Sequence, residues 1–293
     1  MFNFNKDLNE KLNLAGTVGF NLRRNDWNTI TGSTTNGLLL ASLYTLSNSE
    51  GPVATAEYDA TKMVDGVYGQ ASLGYDNFAY LEGTYRRDRS SSLPKSNNTY
   101  DYWSVTGSLI FSQLLEDYDW LNFGKLRANY GKVGNDTNPY NVFNTYTIVT
   151  PPFNGGLASN PGANANPDLL PEEQENWEIG LEMQFLDRRA GFDVTYYKAK
   201  NINQITSVPV SNSTGYTSAL LNAGTIENKG WEIQLNVTPV KTADFAWDLN
   251  VNWAKNESLV VELIDGVDNL QLGAFQGGIS LKATPGQPYG TIR

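Results

Sequence analysis

Carboxylates, amides and aromatic rings are the residues that could do chemistry in this chain, because its 293 residues contain neither histidine nor cysteine. A Ser-His-Asp or Cys-His nucleophile, an imidazole or thiolate metal site and a disulfide framework are therefore all excluded. Asp168, Glu172, Glu173 and Glu175 crowd one stretch. Carboxylate oxygens at that density bind calcium, but the spacing is not that of an EF-hand loop. As an acid/base pair for glycoside hydrolysis they would need surroundings that split their pKa values, and nothing around them marks such a pocket. A solvated acidic loop entering a strand accounts for them. Gly134-Asn135-Asp136 and Asn228-Lys229-Gly230 have the composition of ligand loops and equally of turns, since Gly and Asn tolerate positive φ; turns are expected at both. The chemistry points to no enzyme, no cofactor and no metal.

Two groups remain for binding. Arg127, Glu178, Glu182, Asp193, Glu232 and Asp248 fall at the polar positions of alternating segments. A hydrogen-bonded wall network is expected of them, with contact to a plug or a substrate as the other reading. Trp27, Tyr140, Phe143 and Tyr146 lie in polar connections, where rings stack on sugars or hold peptide. These four are the expected substrate-contacting residues. The net charge of −10 argues against a nucleic-acid partner, which needs a basic face.

The elements that must position these residues are long amphipathic strands. In the stretch from Asn166 to Val240, Trp177, Ile179, Leu181, Met183 and Phe185 alternate with Glu178, Gly180, Glu182 and Gln184. A turn at Asp187-Arg188-Arg189-Ala190 leads to Phe192, Val194 and Tyr196 against Asp193, Thr195 and Tyr197. After a loop over about 206–223, Trp231, Ile233, Leu235 and Val237 alternate with Glu232, Gln234, Asn236 and Thr238. A period of two puts one face against an apolar medium and the other against a polar one. Runs of about ten residues are what a tilted strand needs to cross a bilayer, against about 5–6 in a soluble sandwich.

Similar runs recur at about 12–23, 67–75, 79–85, 103–111, 126–131 and 245–253, with short ones near Phe2 and from about Ile279. The connections alternate in length. Short ones fall at 6–10, 76–77, 114–119, 187–190 and 239–244, longer ones at about 24–65, 87–100, 134–173 and 206–223. Outer-membrane barrels have that asymmetry, short periplasmic turns and longer extracellular loops. Aromatic residues gather at both strand ends. Tyr75, Phe111, Phe185, Phe192, Phe245 and Trp247 lie near the short turns; Phe20, Tyr85, Trp103, Tyr130, Trp177, Tyr196, Trp231 and Trp253 lie near the long loops. Two such bands are the girdles expected at headgroup level. The mean hydropathy of −0.40 and the lack of a long apolar run exclude a transmembrane helix but not a barrel, whose inner face dilutes the average.

Four segments also resemble a known family: Trp120–Asn135, Asn166–Ile205, Gly215–Val240 and the GQPYG run Gly286–Gly290. Their order and spacing resemble the barrel of SusC/RagA-type TonB-dependent outer-membrane transporters of Bacteroidetes. The resemblance covers most of the chain after Val67. Arg89 stands where the family usually has glycine in Arg-Asp-Gly-Ser, and the run after it departs from the family's Phe-Pro and Ser-x-x-Trp pattern. The resemblance implies about ten strands of an all-β, antiparallel, 22-stranded transmembrane barrel whose lumen is closed by a plug. It implies residence in the outer membrane among lipid, uptake of a glycan or oligopeptide with a SusD-like surface lipoprotein, and energy from TonB acting through an N-terminal region. Residues 1–293 carry no recognisable plug, signal peptide or closing strands, so a fragment of such a barrel is expected. A complete small passive porin and a soluble β-rich carbohydrate-binding module are the alternatives.

Overall fold

A computed structural model describes residues 1–115, 120–149 and 157–293. Ten strands form one sheet in strict chain order, every neighbouring pair antiparallel. They are β1 (Phe2–Asp7), β2 (Leu12–Ser33), β3 (Ala54–Tyr75), β4 (Ala79–Ser90) and β5 (Thr99–Leu109). Then come β6 (Leu121–Asn135), β7 (Glu172–Phe185), β8 (Ala190–Ile202), β9 (Gly224–Lys241) and β10 (Ala246–Leu263). This is a meander in which each strand reverses beside its predecessor, the topology of an up-and-down barrel wall.

The alternation read from the sequence becomes two faces. Val18, Phe20, Leu81 and Val251 are all more than half exposed, at 58, 62, 55 and 54%, and Trp231, Leu235 and Val237 are exposed beside them. Among the described residues no second sheet or helix layer covers this row. Buried apolar residues lie elsewhere: one cluster joins Leu93, Tyr100, Val142 and Leu169, another Val208, Ala223, Val260, Leu270 and Ala283. Both sit among the long connections and the strand ends that meet them. A wall that turns its apolar side chains outward over ten strands without a protein core behind them requires an apolar solvent.

The turns explain the reversals. Asp76 and Asn77 have φ of +46° and +58°, the paired left-handed conformation of a two-residue hairpin turn. The reversal expected over 187–190 spans 186–189, one residue earlier, with Leu186, Asp187 and Arg188 at positive φ. Of the turn expected over 114–119, residues 116–119 lie outside the described residues.

Four expectations need correction. Residues 24–65 are not a long loop: β2 and β3 pair residue for residue from Leu12–Tyr75 out to Ser33–Ala54, leaving a connection of 34–53. Beyond Leu22 the regular apolar alternation stops, polar residues filling most positions between scattered apolar ones such as Trp27 and Ile30, while the backbone ladder, which needs no apolar face, continues. The segment after Arg87 shrinks likewise to 91–98. The loop over 206–223 contains strands Ile205–Pro209 and Ser218–Asn222, which pair with each other and, through the latter, with Ala163–Asn164. Finally, the run from Ile279 is not a wall strand. Ser280–Ala283 pairs with Leu270–Ala274 and Thr291–Ile292 in a separate small sheet.

Candidate functional site

The polar face of the wall is built around Arg127. It stands on β6 directly opposite Gly180 of β7, which stands opposite Thr195 of β8. A Cβ at position 180 would lie 2.5 Å from the Arg127 guanidinium. Glycine therefore opens a passage over β7, through which Arg127 reaches Asp193 with two hydrogen bonds of 2.9 and 2.7 Å and Thr195 Oγ1 at 2.6 Å. The fork fits the carboxylate at two points, the strongest arrangement for such a pair. With Glu232, Gln234 and Asn252 these residues line a hollow of about 370 Å³. The other expected wall residues are bonded along their own strands or across a turn: Asn176 donates to Glu178, Gln184 to Glu182, and Thr238 to Asp248. This is a polar, partly exposed surface of ion-paired and hydrogen-bonded side chains.

At the long-loop end the connections fold back on the wall. Asp136, the first residue past β6, receives Lys62 Nζ of β3 at 2.5 Å and Ser90 Oγ of β4 at 2.5 Å. Lys62 also donates to the carbonyl of Thr137 at 3.0 Å. Both charged side chains are about nine-tenths buried, at 12 and 8% exposure. Beside them Tyr100 stacks on Tyr102 at 5.7 Å, and Tyr102 donates to Asp88. Burial first, then the Asp136 carboxylate, pushes the Tyr100 phenol well above the ordinary tyrosine range. Asn97 and Asn222 bond backbone carbonyls at 168–170, tying three connections into one body. Sequence reasoning missed this anchor, because its members lie 46 and 74 residues apart and nothing in their local composition marks the pairing.

The four expected substrate-contacting aromatics are not one cluster. Tyr140, Phe143 and Tyr146 share one connection and are 50, 67 and 71% exposed. Phe143 borders a groove of about 710 Å³ with Leu93, Pro94, Lys95 and Val142. Trp27 lies on β2 opposite Ala60, on the outer part of the long hairpin. Two expected turns are also overturned. Asn228-Lys229-Gly230 sits inside β9, where Gly230 is required because a Cβ would meet the Lys255 carbonyl at 2.4 Å and the Tyr197 hydroxyl at 2.6 Å. Gly134 and Asn135 end β6, and Gly134 makes room for the Tyr100 ring. In the acidic stretch, Glu172 accepts from Asn135 and from the Ile205 amide, and Glu173 pairs with Lys132 at 2.6 Å. Arg89, at the position that departs from the resemblance, is an ordinary strand residue paired with Asp65 at 3.1 Å.

An antiparallel wall with an apolar outer face, a polar inner face and folded loops at one end defines a transmembrane β-barrel of the outer-membrane type. The family model "TonB dependent receptor-like, beta-barrel" matches residues 1–288, and the chain belongs to that family, whose members are outer-membrane receptors and transporters and not enzymes. A TonB-dependent receptor of Formosa agariphila is 30% identical over 237 residues, covering 78% of this chain and 23% of that protein. The TonB-dependent receptor SusC of Bacteroides thetaiotaomicron is 29% identical over 214 residues, covering 69% of this chain and 21% of that one. The chain spans about a quarter of the length of the curated relatives it matches. Among solved structures, the RagAB peptide transporter superposes with a TM-score of 0.82 over 97% of this chain and 32% of that one at 21% identity, a likeness of fold.

Proposed function

We propose that this chain forms part of the wall and the outer loops of a TonB-dependent importer that takes up an oligopeptide or a glycan beneath a SusD-like surface lipoprotein. In this reading residues 1–293 are a segment of a 22-stranded barrel, and the plug, the TonB-contacting region, the signal and the closing strands belong to the rest of the receptor. The observation that carries it is the pairing of a lipid-type outer face with an ion-paired inner face opposite, centred on Arg127 and Asp193. The names of the relatives support it: one is called SusC and another a peptide transporter. Membership of the family sets aside the soluble carbohydrate-binding module. A passive porin differs in needing no energy.

The test is uptake of labelled oligopeptides and oligosaccharides by cells that express the full-length receptor, with and without TonB. Uptake of one class should vanish when TonB is deleted; uptake that persists without TonB restores the passive pore. Tyr140, Phe143 and Tyr146, with Trp27 further out, are proposed to touch the cargo. Tyr140→Ala with Phe143→Ala should weaken binding about thirtyfold, at roughly 1 kcal/mol for each of the two lost ring contacts. Unchanged affinity by titration calorimetry would remove these two from the site.

A further inference from the structure

Every aromatic residue of the long-loop girdle from β4 to β10 has a charged residue two positions further out on the same strand and the same face. Tyr85 is followed by Arg87 on β4, Tyr130 by Lys132 on β6 and Tyr196 by Lys198 on β8. Trp253 is likewise followed by Lys255 on β10, while on the strands that run the other way Trp103 is preceded by Asp101, Trp177 by Glu175 and Trp231 by Lys229. Five of these seven are basic in a chain with 21 bases and 31 acids, so the row runs against the composition of the molecule. The opposite girdle has no such row: two positions beyond Tyr75, Phe185 and Phe192, toward the turns, stand Asn77, Asp187 and Ala190.

The row is densest on β8, β9 and β10. Lys198 and Lys229 stand directly opposite each other in the ladder, a like-charge pair that is unfavourable unless an anion lies between or beside them. Lys255 on β10 stands opposite Trp231, one step along the same diagonal. Their ion pairs are partial: Lys198 reaches Glu227 at 2.9 Å, while Glu257 is shared between Lys255 at 2.8 Å and Lys229 at 3.8 Å. Two carboxylates thus serve three ammonium groups. Immediately below are the rings of Tyr196 and Trp231, 4.8 Å apart, and then the exposed Leu235 and Val251.

We propose that Lys198, Lys229 and Lys255 form a binding site for the phosphate group of an anionic membrane lipid in the outer leaflet, whose acyl chains descend over the apolar face below Trp231. The site combines a cationic notch at headgroup depth with a hydrocarbon-facing groove on the same strands, and an anionic amphiphile complements both. Surface lysines near a charged leaflet each contribute roughly a fivefold gain in affinity. Lys132 and Arg87 further along the rim are matched one to one by Glu173 and Asp101 and lie outside the site.

The full-length receptor reconstituted in phosphatidylcholine vesicles, with and without added phosphatidic acid, tests this. The expected result is a higher thermal unfolding midpoint in the doped vesicles and phosphatidic acid retained on the protein by native mass spectrometry. Lys198→Gln, Lys229→Gln and Lys255→Gln together should weaken retention about a hundredfold, and the corresponding Lys→Arg triple should keep it. Equal midpoints for the unsubstituted receptor in the two vesicles would overturn the proposal, and that arm is decisive even if the Gln triple fails to insert. Retention unchanged in the Gln triple would overturn it too, as would inorganic phosphate in neutral vesicles raising the midpoint as much as the lipid.

Discussion

Single residues report which solvent they face. Leu235 is exposed on β9 between Phe192 and Val251, four residues inward of Trp231, and Gln234 points the other way beside Asp193 and Asn252. Leu235→Arg should destabilise the receptor in vesicles by about 2–4 kcal/mol, while Gln234→Arg should cost little, because only the first charge lies in hydrocarbon near the midplane. Urea unfolding of both variants checks this, and equal costs would remove the assignment of faces. Gly180 reports the inner network. A leucine there occupies the space of the guanidinium and separates Arg127 from Asp193, as Asp193→Ala does from the other side. Each change should cost about 1 kcal/mol, discounted because both partners are about a third exposed. The two should be strongly non-additive in a double-mutant cycle, since they remove one interaction; additive costs would show that Gly180 serves packing alone.

Elements were legible where one physical rule acted on the whole strand. β7, β8 and β9 could be read from Trp177–Phe185, Phe192–Tyr197 and Trp231–Thr238, because lipid on one side and water on the other impose a period of two. Where that difference ends, so did legibility. The outer halves of β2 and β3 have no lipid-facing apolar row, with Lys62 covered by Asp136 on one face and Arg24, Asp26 and Thr61 in one hydrogen-bonded group, so composition made them resemble a loop. Asn228-Lys229-Gly230 misled for a different reason: its glycine answers to a neighbouring backbone, which local sequence does not display. The candidate site was half legible. Arg127 and Asp193 follow from alternation, whereas the Lys62–Asp136–Ser90 anchor is long-range. That anchor makes a prediction about an element. Asp136→Ala leaves the Lys62 ammonium buried without its carboxylate, at a cost of about 3 kcal/mol that is relieved when the connection lifts off and water reaches the ammonium. Residues 136–149 and 157–171 should therefore gain fast amide exchange while β7, β8 and β9 keep slow exchange. Unchanged exchange throughout would show that the Leu93–Tyr100–Val142–Leu169 core suffices to hold it.

At the scale of the whole molecule, the two girdles and the long hairpin assign a depth to each part. Trp231 and Trp247 lie on opposite sides of the apolar band, and the strands between them span about 25 Å of hydrocarbon. Trp27 lies seven residues beyond Phe20 on β2, which at about 3.4 Å per residue and a tilt near 40° places it roughly 18 Å above its girdle. The β2–β3 hairpin thus stands in water, and the exposed Leu39, Leu40 and Tyr44 at its tip are too far out for lipid to cover. Full-length receptors retaining one tryptophan each make this measurable. In vesicles of lipids brominated near the headgroup, Trp231 and Trp247 should both be quenched, and lipids brominated at the chain ends should quench them less. Trp27 should be untouched by either lipid and quenched by aqueous acrylamide. Quenching of Trp27 by brominated chains would mean that the hairpin lies along the membrane, and the depth order derived from the wall would then be wrong for its longest strands.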